Sequence, residues 1–424
     1  MSNSDREERV LSPRGLWAAR IVFGVMAGVI LLFAAISPAH GQLFRPLYSF
    51  TGVTDGGEPA AGVSRDAKGN LYGAAYVGGN FNSNCSNHGC GLLYKLDKNG
   101  KETVLYSFNG GSDGANPAGR VIRDGEGNLY STTTNGGGGN CPAGPGGCGT
   151  VFKVSKSGQE TVLYAFAGGS DGFWPQNGVV QDAQGNLYGT TPYGGDLNGC
   201  NGTGCGTVFK VTLNGVKTLL YSFTGGADGA WPMDSFRGLI LDAKGNLYGT
   251  TEKGGANDAG VVFKVNPKGQ ETVLYSFGVN GTDAYRPEGD LIRDAKGNFY
   301  GSTYFGGSSG NGAVFKIDTT GKEIVLYSFT GGTDGEWPYG GVTLDRKGNL
   351  YGTTLRGGDP NDGGFGVVFK INKTGQETVL YTFTGSPDGA YPYAAVILTA
   401  KRNLYGTTAQ GSSYGYGEVW EIKP

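Results

Sequence analysis

The heptapeptide "GNLYGTT" (Gly185–Thr191) recurs unchanged at Gly245–Thr251 and Gly348–Thr354, and four looser copies lie elsewhere in the chain. It completes a "DAQGN" turn, in which an Asp side chain can accept backbone N–H bonds and the Gly can adopt a positive φ. The flanking runs of four to seven residues are rich in Val, Leu, Tyr, Phe and Thr and lack helical periodicity. The pattern predicts short β-strands joined by tight hairpins.

A longer repeat contains this heptapeptide. Segments of the "LYSF" type end 52 to 58 residues apart, at Phe50, Phe108, Phe166, Phe223, Phe277, Phe329 and Phe383. Each unit holds four strand-like runs, as between Gly178 and Phe223. One four-stranded antiparallel sheet cannot bury both of its faces, whereas seven sheets stacked around an axis can. We therefore predict an all-β, seven-bladed β-propeller with four antiparallel strands per blade.

The two ends of the repeat array distinguish a closed ring from an open solenoid. The last third-strand segment, "GEVWEI" at Gly417–Ile422, is not followed by a fourth strand, and "LFRPLYSF" at Leu43–Phe50 is a fourth strand with no repeat before it. A ring in which the N-terminal strand completes the last blade explains both observations and leaves no open sheet edge. This closure predicts that Leu47–Phe50 pairs with Val419–Ile422.

The first 41 residues differ from the rest. Arg14 and Arg20 precede an uncharged apolar run, Ile21–Ile36, and small residues follow at Ala39 and Gly41. This order is typical of a secretory signal peptide, and the alternative is an uncleaved N-terminal anchor. We expect residues 42–424 to form the propeller and to be exported to the periplasm, cell surface or medium, as a monomer attached to a membrane only if the N-terminal segment is retained.

The cysteines and the charge balance limit the possible partners. The six cysteines form three close pairs, Cys85/Cys90, Cys141/Cys148 and Cys200/Cys205, and an exported chain with this spacing favours three disulfides over a zinc site. Residues 42–424 carry 30 basic and 33 acidic side chains, a balance that argues against a nucleic-acid partner. No cofactor is expected.

The repeat unit, of the form "GTVFKV…ETVLYSFTGG.DG..P..GV..DA.GNLYGTT", resembles the GloVer tandem repeat over nearly all of residues 43–424. That family occurs in exported "choice-of-anchor" bacterial proteins, so the resemblance implies an exported, propeller-like protein. It implies no particular activity. Similarity to the hairpins of NHL and gluconolactonase-like propellers is an analogy of fold only.

Two sets of loops are expected on one face of the propeller. Five of the loops from fourth to first strand carry an aromatic residue ahead of their proline, and such rings can either cap the first strand or stack on sugars. The loops from second to third strand are long in the first three blades and rich in Asn. The residues that we select as ligand-binding candidates are Trp174, Trp231, Tyr285, Trp337, Tyr391, Asn84, His88 and Asn198.

Catalytic and metal-binding patterns are weak. Residues 42–424 contain a single histidine, His88, and no G-x-S-x-G motif. Asp196, Asp258, Asp359 and Asp362 could supply paired carboxylates, but no spacing singles them out, and the repeated loop and hairpin aspartates are typical turn residues. We therefore expect a non-catalytic propeller that binds glycan or protein. A metal-assisted hydrolase or lyase and a structural envelope protein are the alternatives.

Overall fold

The structure is a computed structural model that describes residues 43–423 apart from Ser86 and the ranges 139–140, 142–145, 234–237, 280–282 and 360–363. The predicted signal peptide or anchor, residues 1–41, lies outside the described residues. Within the described part of the chain, no helix is long and apolar enough to cross a membrane. The described residues form a β-propeller of seven four-stranded antiparallel blades, as the sequence predicted.

The four strands of each blade follow one another from the axis outward. The first strands are Val63–Arg65, Ile122–Arg123, Val180–Gln181, Ile240–Leu241, Ile292–Arg293, Val342–Leu344 and Ile397–Leu398. The second strands are Leu71–Ala75, Leu129–Asn135, Leu187–Thr191, Leu247–Thr251, Phe299–Thr303, Leu350–Thr353 and Leu404–Thr408. The third strands are Leu92–Leu96, Thr150–Val154, Thr207–Val211, Val261–Val265, Ala313–Ile317, Val367–Ile371 and Glu418–Lys423.

The fourth strands are outermost, at Glu102–Ser107, Glu160–Ala165, Lys217–Ser222, Glu271–Ser276, Glu323–Ser328, Glu377–Thr382 and, for blade 7, Leu43–Ser49. Three short strands, Ala115–Pro117, Ala284–Tyr285 and Phe305–Gly306, extend the inner edges of blades 2 and 5. Two single-turn 3-10 helices, Gly169–Asp171 and Cys200–Gly202, lie in loops.

The N-terminal strand closes the ring. It pairs antiparallel with the third strand of blade 7, with Leu43 opposite Lys423, Tyr48 opposite Val419 and Ser49 opposite Glu418. Blade 7 therefore takes three strands from one end of the repeat array and one from the other, which confirms the predicted closure. The register differs from the prediction, because Phe44–Tyr48 rather than Leu47–Phe50 lies opposite Val419–Ile422.

The heptapeptide "GNLYGTT" is the turn and second strand of a blade. Asp182 Oδ1 accepts the backbone N–H of Asn186 at 2.8 Å, and Oδ2 accepts the Tyr188 hydroxyl at 2.9 Å. Tyr188 packs into the core shared with the next blade. Gly189 lies under the ring of its cross-strand partner Phe209, where an added Cβ would come within 2.7 Å of the ring. The repeated Asp, Asn, Tyr and Gly residues therefore serve turn formation or close packing.

Aromatic pairs join neighbouring blades. The Phe that follows each fourth strand is fully buried and meets an aromatic ring of the next blade's third strand, with ring centroids 4.9 to 5.7 Å apart and mostly edge-to-face. This geometry is the favourable one for aromatic pairs. The "LYSF" segment therefore supplies the contact that repeats around the ring, and blades 7 and 1 are joined in the same way, by Phe50 and Tyr94.

We call the boundary between adjacent blades a seam. A second contact accompanies each of these aromatic pairs, and it is charged in six of the seven seams. In five seams the first residue of a fourth strand is Glu, and it faces an Asp in the loop that precedes its blade. These Glu/Asp pairs are Glu102/Asp55, Glu160/Asp113, Glu271/Asp228, Glu323/Asp283 and Glu377/Asp334. In the seam between blades 2 and 3 the equivalent residue is Lys217, whose Nζ lies 2.6 Å from Asp171 Oδ1. In the seam between blades 6 and 7 it is Phe44, stacked on Tyr381 with centroids 4.0 Å apart.

Candidate ligand-binding site

The loop that enters each blade presents one residue in an unusual backbone conformation. In all seven loops the residue immediately before the proline has φ between 53° and 58°. A non-glycine residue in this left-handed region is strained, and a following proline disfavours helical conformations further. The seven residues are Glu58, Asn116, Trp174, Trp231, Arg286, Trp337 and Tyr391.

Backbone hydrogen bonds hold these pre-proline residues from two sides. The N–H of Arg286 donates to the carbonyl of Ala259 in the preceding blade at 2.9 Å, and the carbonyl of Arg286 accepts the N–H of Tyr304 in its own blade at 3.0 Å. The same pattern recurs at Trp231 and Tyr391. Because the backbone is fixed by both neighbours, the side chains are presented in a preorganised arrangement.

The side chains at these equivalent positions differ from blade to blade. They are acidic, amide, basic or aromatic, while the backbone around them repeats. The same holds for the residues just after the prolines, which include Ala60, Gln176, Glu288, Tyr339 and Tyr393. A symmetric frame therefore carries an asymmetric set of side chains, which is what specific recognition of one ligand requires.

A cavity of about 280 Å³ lies among the inner ends of blades 1, 2, 3 and 7. Its size is close to the lower end of the range for small-molecule sites. Its lining residues come from the entry loops of four blades and from the ends of second strands, so the cavity lies near the propeller axis. We call this cavity and the rings beside it the central opening; the cavity is lined by Glu58, Ala60, Tyr76, Ala118, Thr134, Gln176, Tyr393, Ala409 and Gln410.

Aromatic rings continue from this cavity across blades 5 to 7. Tyr393 meets Tyr339 edge-to-face at 5.5 Å, Tyr339 meets Tyr304 at 6.1 Å, and Tyr304 stacks on Trp337 at 5.1 Å. The guanidinium of Arg356 lies 5.5 Å from the ring centres of both Trp337 and Tyr391. All four tyrosine and tryptophan side chains of this chain of rings are partly exposed, and they form a continuous aromatic border.

Charged side chains cluster beside the aromatic border. Arg286 contacts the carboxylate of Glu252, and its Nη2 lies 3.5 Å from Glu288 Oε1. Burial raises the pKa of Glu288 to about 7, although Arg286 opposes the shift. Across the opening, burial raises the pKa of Glu58, and the nearby His88 opposes that shift. Glu288 can therefore exchange protons near neutral pH, a property that is common at functional sites.

The predicted aromatic residues are found in two groups. Trp174 and Trp231 flank Tyr193, with centroid distances of 5.8 and 6.3 Å, while Trp337 and Tyr391 share Arg356. Tyr285 does not belong with the other four, because Arg286 holds the pre-proline position of that loop. Tyr285 instead stacks on Phe305 at 5.7 Å, one residue earlier in the register.

The three predicted polar residues also lie in two different places, on the rim and beside the cavity. Asn84 and Asn198 are exposed in loops that pack against the entry loop of the next blade, and Asn198 bonds to Asp196 within its own turn. They lie on the rim, away from the residues that line the cavity. His88 belongs to one of these loops, but it lies near enough to Glu58 to oppose the rise in the pKa of that carboxyl group. His88 is therefore at the border of the cavity.

Two of the three expected disulfides are formed, Cys85–Cys90 and Cys200–Cys205. The expected third disulfide, Cys141–Cys148, is wrong for this structure, in which both residues are buried free thiols. Burial and the neighbouring Cys141 thiol raise the pKa of Cys148 to about 12. The thiolate that disulfide exchange requires is therefore strongly disfavoured, and the two thiols pack into the core between blades 2 and 3.

The aspartates interpreted as turn residues do have that role. Asp228 accepts the Thr224 N–H at 2.8 Å and the Tyr221 hydroxyl at 2.9 Å, and Asp258 accepts the Gly254 N–H at 3.0 Å. Asp362 lies outside the described residues. Among the residues that the structure describes, no group of three or more His, Cys, Asp or Glu side chains could hold a metal ion.

Sequence inspection missed several residues of the central opening: Glu58, Tyr76, Gln176, Arg286, Glu252, Glu288 and Gln410. A signal for part of this set was present. When the seven repeats are aligned on their prolines, the preceding residues are Glu, Asn, Trp, Trp, Arg, Trp and Tyr. An aromatic pattern selects only four of these seven positions. Glu252 and Gln410 follow second strands, and nothing in the repeat marks them.

The fold and the ring of entry loops define the class as a repeat-built β-propeller. A model of the Gloeobacter/Verrucomicrobia repeat matches residues 31–238 and 202–420, so the chain belongs to that repeat family, which confirms the resemblance. No curated protein matches the chain significantly.

Several solved propellers are similar in fold. A puromycin hydrolase mutant has 12% identity and a TM-score of 0.50, covering 88% of this chain and 54% of that one. A type-IX secretion system surface component of Porphyromonas gingivalis has 14% identity and a TM-score of 0.48, covering 86% and 46%. A gluconolactonase from Xanthomonas campestris has 16% identity and a TM-score of 0.38, covering 65% and 78%. At these identities the likeness concerns the fold alone.

Proposed function

We propose that this protein is an exported binding protein that takes a neutral carbohydrate in the cavity at the central opening. One observation carries the proposal: two tyrosine rings and two amide side chains meet around one small cavity. These are Tyr76, Tyr393, Gln176 and Gln410, with Glu58 beside them. Aromatic faces pack on the C–H face of a sugar ring, and amides and carboxylates bond to its hydroxyl groups.

The backbone around the cavity supports binding without large rearrangement. Glu58 donates its N–H to the carbonyl of Tyr416 at 2.9 Å, and its carbonyl accepts the N–H of Tyr76 at 3.3 Å. A site whose loops are already ordered loses less conformational entropy when it binds. The two disulfides that staple neighbouring loops are compatible with export to an oxidising compartment.

Glycan-array screening followed by titration calorimetry tests the proposal. Tyr393→Ala and Gln176→Ala should each weaken binding of a captured glycan about tenfold, because each removes one buried ligand contact. Matched controls are Tyr414→Ala, at a tyrosine that is 61% exposed outside the cavity, and Gln184→Ala, in a hairpin turn. Retention of full affinity by both cavity variants would refute the site, and capture of proteins but no glycans would refute the ligand class.

A catalytic role is the second candidate, and Glu288 is the observation that favours it. Glu288 as a whole is 8% exposed, and its pKa of about 7 suits a general acid or base. A panel of lactone, ester and polysaccharide substrates tests this function, and Glu288→Gln should abolish any turnover found. Turnover that survives Glu288→Gln would exclude Glu288 as the acid or base.

A further inference from the structure

The charges of the propeller are segregated between its two faces. We define the hairpin face as the hairpin turns of each blade together with the last residue of its first strand, the last three residues of its third strand and the first residue of its fourth strand. Of the 29 Lys and Arg residues that the structure describes, 24 lie on this face, together with 15 of the 31 described Asp and Glu residues. The hairpin face is therefore about +9, and the remaining described residues sum to about −11.

The acidic residues of the hairpin face are included in this net charge, and two of them lie 3.9 Å from arginines of the same face, Asp242 from Arg293 and Asp345 from Arg402. Six of them are the hairpin aspartates, whose oxygens accept backbone N–H groups, an Asn amide and a Tyr hydroxyl within their own turn, as at Asp242. Burial of these carboxylates is outweighed by the bonds they accept, so the pKa of each is lowered and the charge is held within the turn. The lysines at the turn tips, such as Lys68, Lys244 and Lys347, are exposed.

Grooves between adjacent blades concentrate these basic side chains. A groove of about 400 Å³ between blades 1 and 2 is lined by Lys68, Lys95, Arg123 and Lys156. Two more, of about 630 and 390 Å³, lie between blades 5 and 6 and between blades 6 and 7, and both are lined by Arg346 and Lys347. Each groove therefore offers several cationic donors to one segment of an anionic chain.

We propose that the hairpin face is a second binding surface, which docks an anionic polysaccharide carrying carboxylate or sulfate groups along the grooves between blades. The charge segregation and the basic grooves carry this proposal, independently of any ligand at the central opening. A linear polyanion could contact several grooves in succession around the ring, and release of its counterions would add to the affinity.

The same surface is poorly suited to nucleic acids. Single strands bind by stacking bases on free aromatic rings. The second-strand tyrosines are the aromatic residues nearest these grooves. Their hydroxyl groups donate to the hairpin aspartates in six blades and to Glu421 in blade 7. Cationic groups cover most of their rings at 5.1 to 5.9 Å, at Tyr72, Tyr130, Tyr188, Tyr248, Tyr300 and Tyr405.

A lipid surface fits less well than a polysaccharide for a different reason. Interfacial membrane binding combines basic side chains with inserted apolar ones. Among the described residues of the hairpin turns, large exposed apolar side chains are confined to blade 3, at Leu213 and Val216. The other turns present polar and basic tips, which suit a hydrated polyanion.

Binding of the purified protein to polygalacturonate and heparin, with neutral dextran as reference, tests the proposal. We expect both polyanions but not dextran to bind, with an affinity that falls steeply with salt concentration. Arg346→Glu combined with Lys347→Glu should weaken binding on the order of tenfold or more and flatten the salt dependence. The matched control compares Lys347→Glu alone with Lys253→Glu, which changes the net charge equally on the opposite face.

Four results would overturn the proposal. They are no binding to either polyanion, equal weakening by Lys347→Glu and Lys253→Glu, tighter binding to single-stranded DNA, and tighter binding to phosphatidylglycerol vesicles. The substituted side chains lie in turns or loops, so we expect each variant to fold, and thermal unfolding verifies this. Loss of neutral-glycan binding at the central opening would leave this test unaffected, so the two proposals fail separately.

Discussion

The seam between blades 2 and 3 and the seam between blades 4 and 5 use the same position for opposite charges. Lys217 reaches Asp171 with Nζ 2.6 Å from Oδ1, and the lysine side chain is 6% exposed. Glu323 occupies the equivalent position opposite Asp283, and the Tyr275 hydroxyl lies 3.2 to 3.3 Å from oxygens of both carboxyl groups. An ion pair thus closes one seam where two like-charged groups meet in the other.

This difference indicates what stabilises the seams that contain a Glu/Asp pair. In all five of these seams, one Oε atom of the Glu is buried without a hydrogen-bond partner in the described structure. Burial and the neighbouring Asp raise the pKa of these carboxyl groups to about 7, and that of Glu323 to about 9. A protonated Glu can donate a hydrogen bond to the Asp, as Lys217 does to Asp171 in the seam between blades 2 and 3.

The largest effect is expected when the Lys217/Asp171 ion pair is replaced by a pair of carboxyl groups. Lys217→Glu places a new carboxylate against Asp171 and removes a cation that also lies 5.1 Å from the Phe166 ring. We expect it to lower the free energy of unfolding by about 4 kcal/mol at pH 8 and by less at pH 5. Urea denaturation at the two pH values measures this, with Lys210→Glu, on an adjacent strand, as control. Equal losses at both pH values would contradict the comparison.

The same substitution at the two aspartates should have unequal effects. Asp171→Asn leaves Lys217 buried without a counter-ion, and should cost about 3 kcal/mol of unfolding free energy. Asp283→Asn removes a like charge beside Glu323 and loses only the common turn contacts, so its cost should be about 1 kcal/mol. Thermal or urea denaturation at pH 7 measures both. Similar costs would show that the seam charges do not determine stability.

In the seam between blades 6 and 7 an aromatic residue takes the place of the Glu or Lys, which offers a reference for the charged pairs. Phe44 stacks on Tyr381 there and is partly buried, so Phe44→Ala should cost about 2 kcal/mol through lost packing. This cost should be the same at pH 5 and pH 8, because Phe44 does not titrate. If the cost varied strongly with pH, the ionisation of Asp388 and Glu418, which interact in the same seam, would be responsible.

The smallest effect is expected for Glu377→Gln. The pKa of Glu377 is raised to about 7 in the folded protein, so its stabilising contribution is complete below about pH 4.5 and is lost as pH rises through 7. Gln keeps a donor toward Asp334 at every pH. The variant should match the parent near pH 4.5 and be more stable by on the order of 1 kcal/mol at pH 8, allowing for solvent screening. A constant difference across this range would contradict proton sharing.

The fold was predictable because its determinants are local and repeated. An Asp accepts N–H groups two to four residues on, and a buried Phe ends every "LYSF" segment, so each repeat carries its own turn and packing instructions. The closure was predictable because a fourth strand was missing at one end and surplus at the other. The site was not, because the cavity joins residues as distant as Glu58 and Gln410, and the repeat marks only some of them.

The errors have physical reasons of the same kind. Tyr285 was grouped with the pre-proline residues by residue type, while the backbone selects Arg286 by position. Cys141 and Cys148 are close in sequence but are packed as buried thiols. The net charge of residues 42–424 argues against a nucleic-acid partner, but it does not reveal how the charges are distributed between the hairpin face and the rest of the propeller.

The sequence by itself determined the number of blades, the order of strands and the way in which the ring closes, because turn chemistry and aromatic packing repeat within each unit of 52 to 58 residues. Only the tertiary structure decided which side chains meet at the axis, which seams join like or unlike charges, and which face is basic. Those outcomes depend on contacts between different blades, and such contacts follow from the shape of the closed ring.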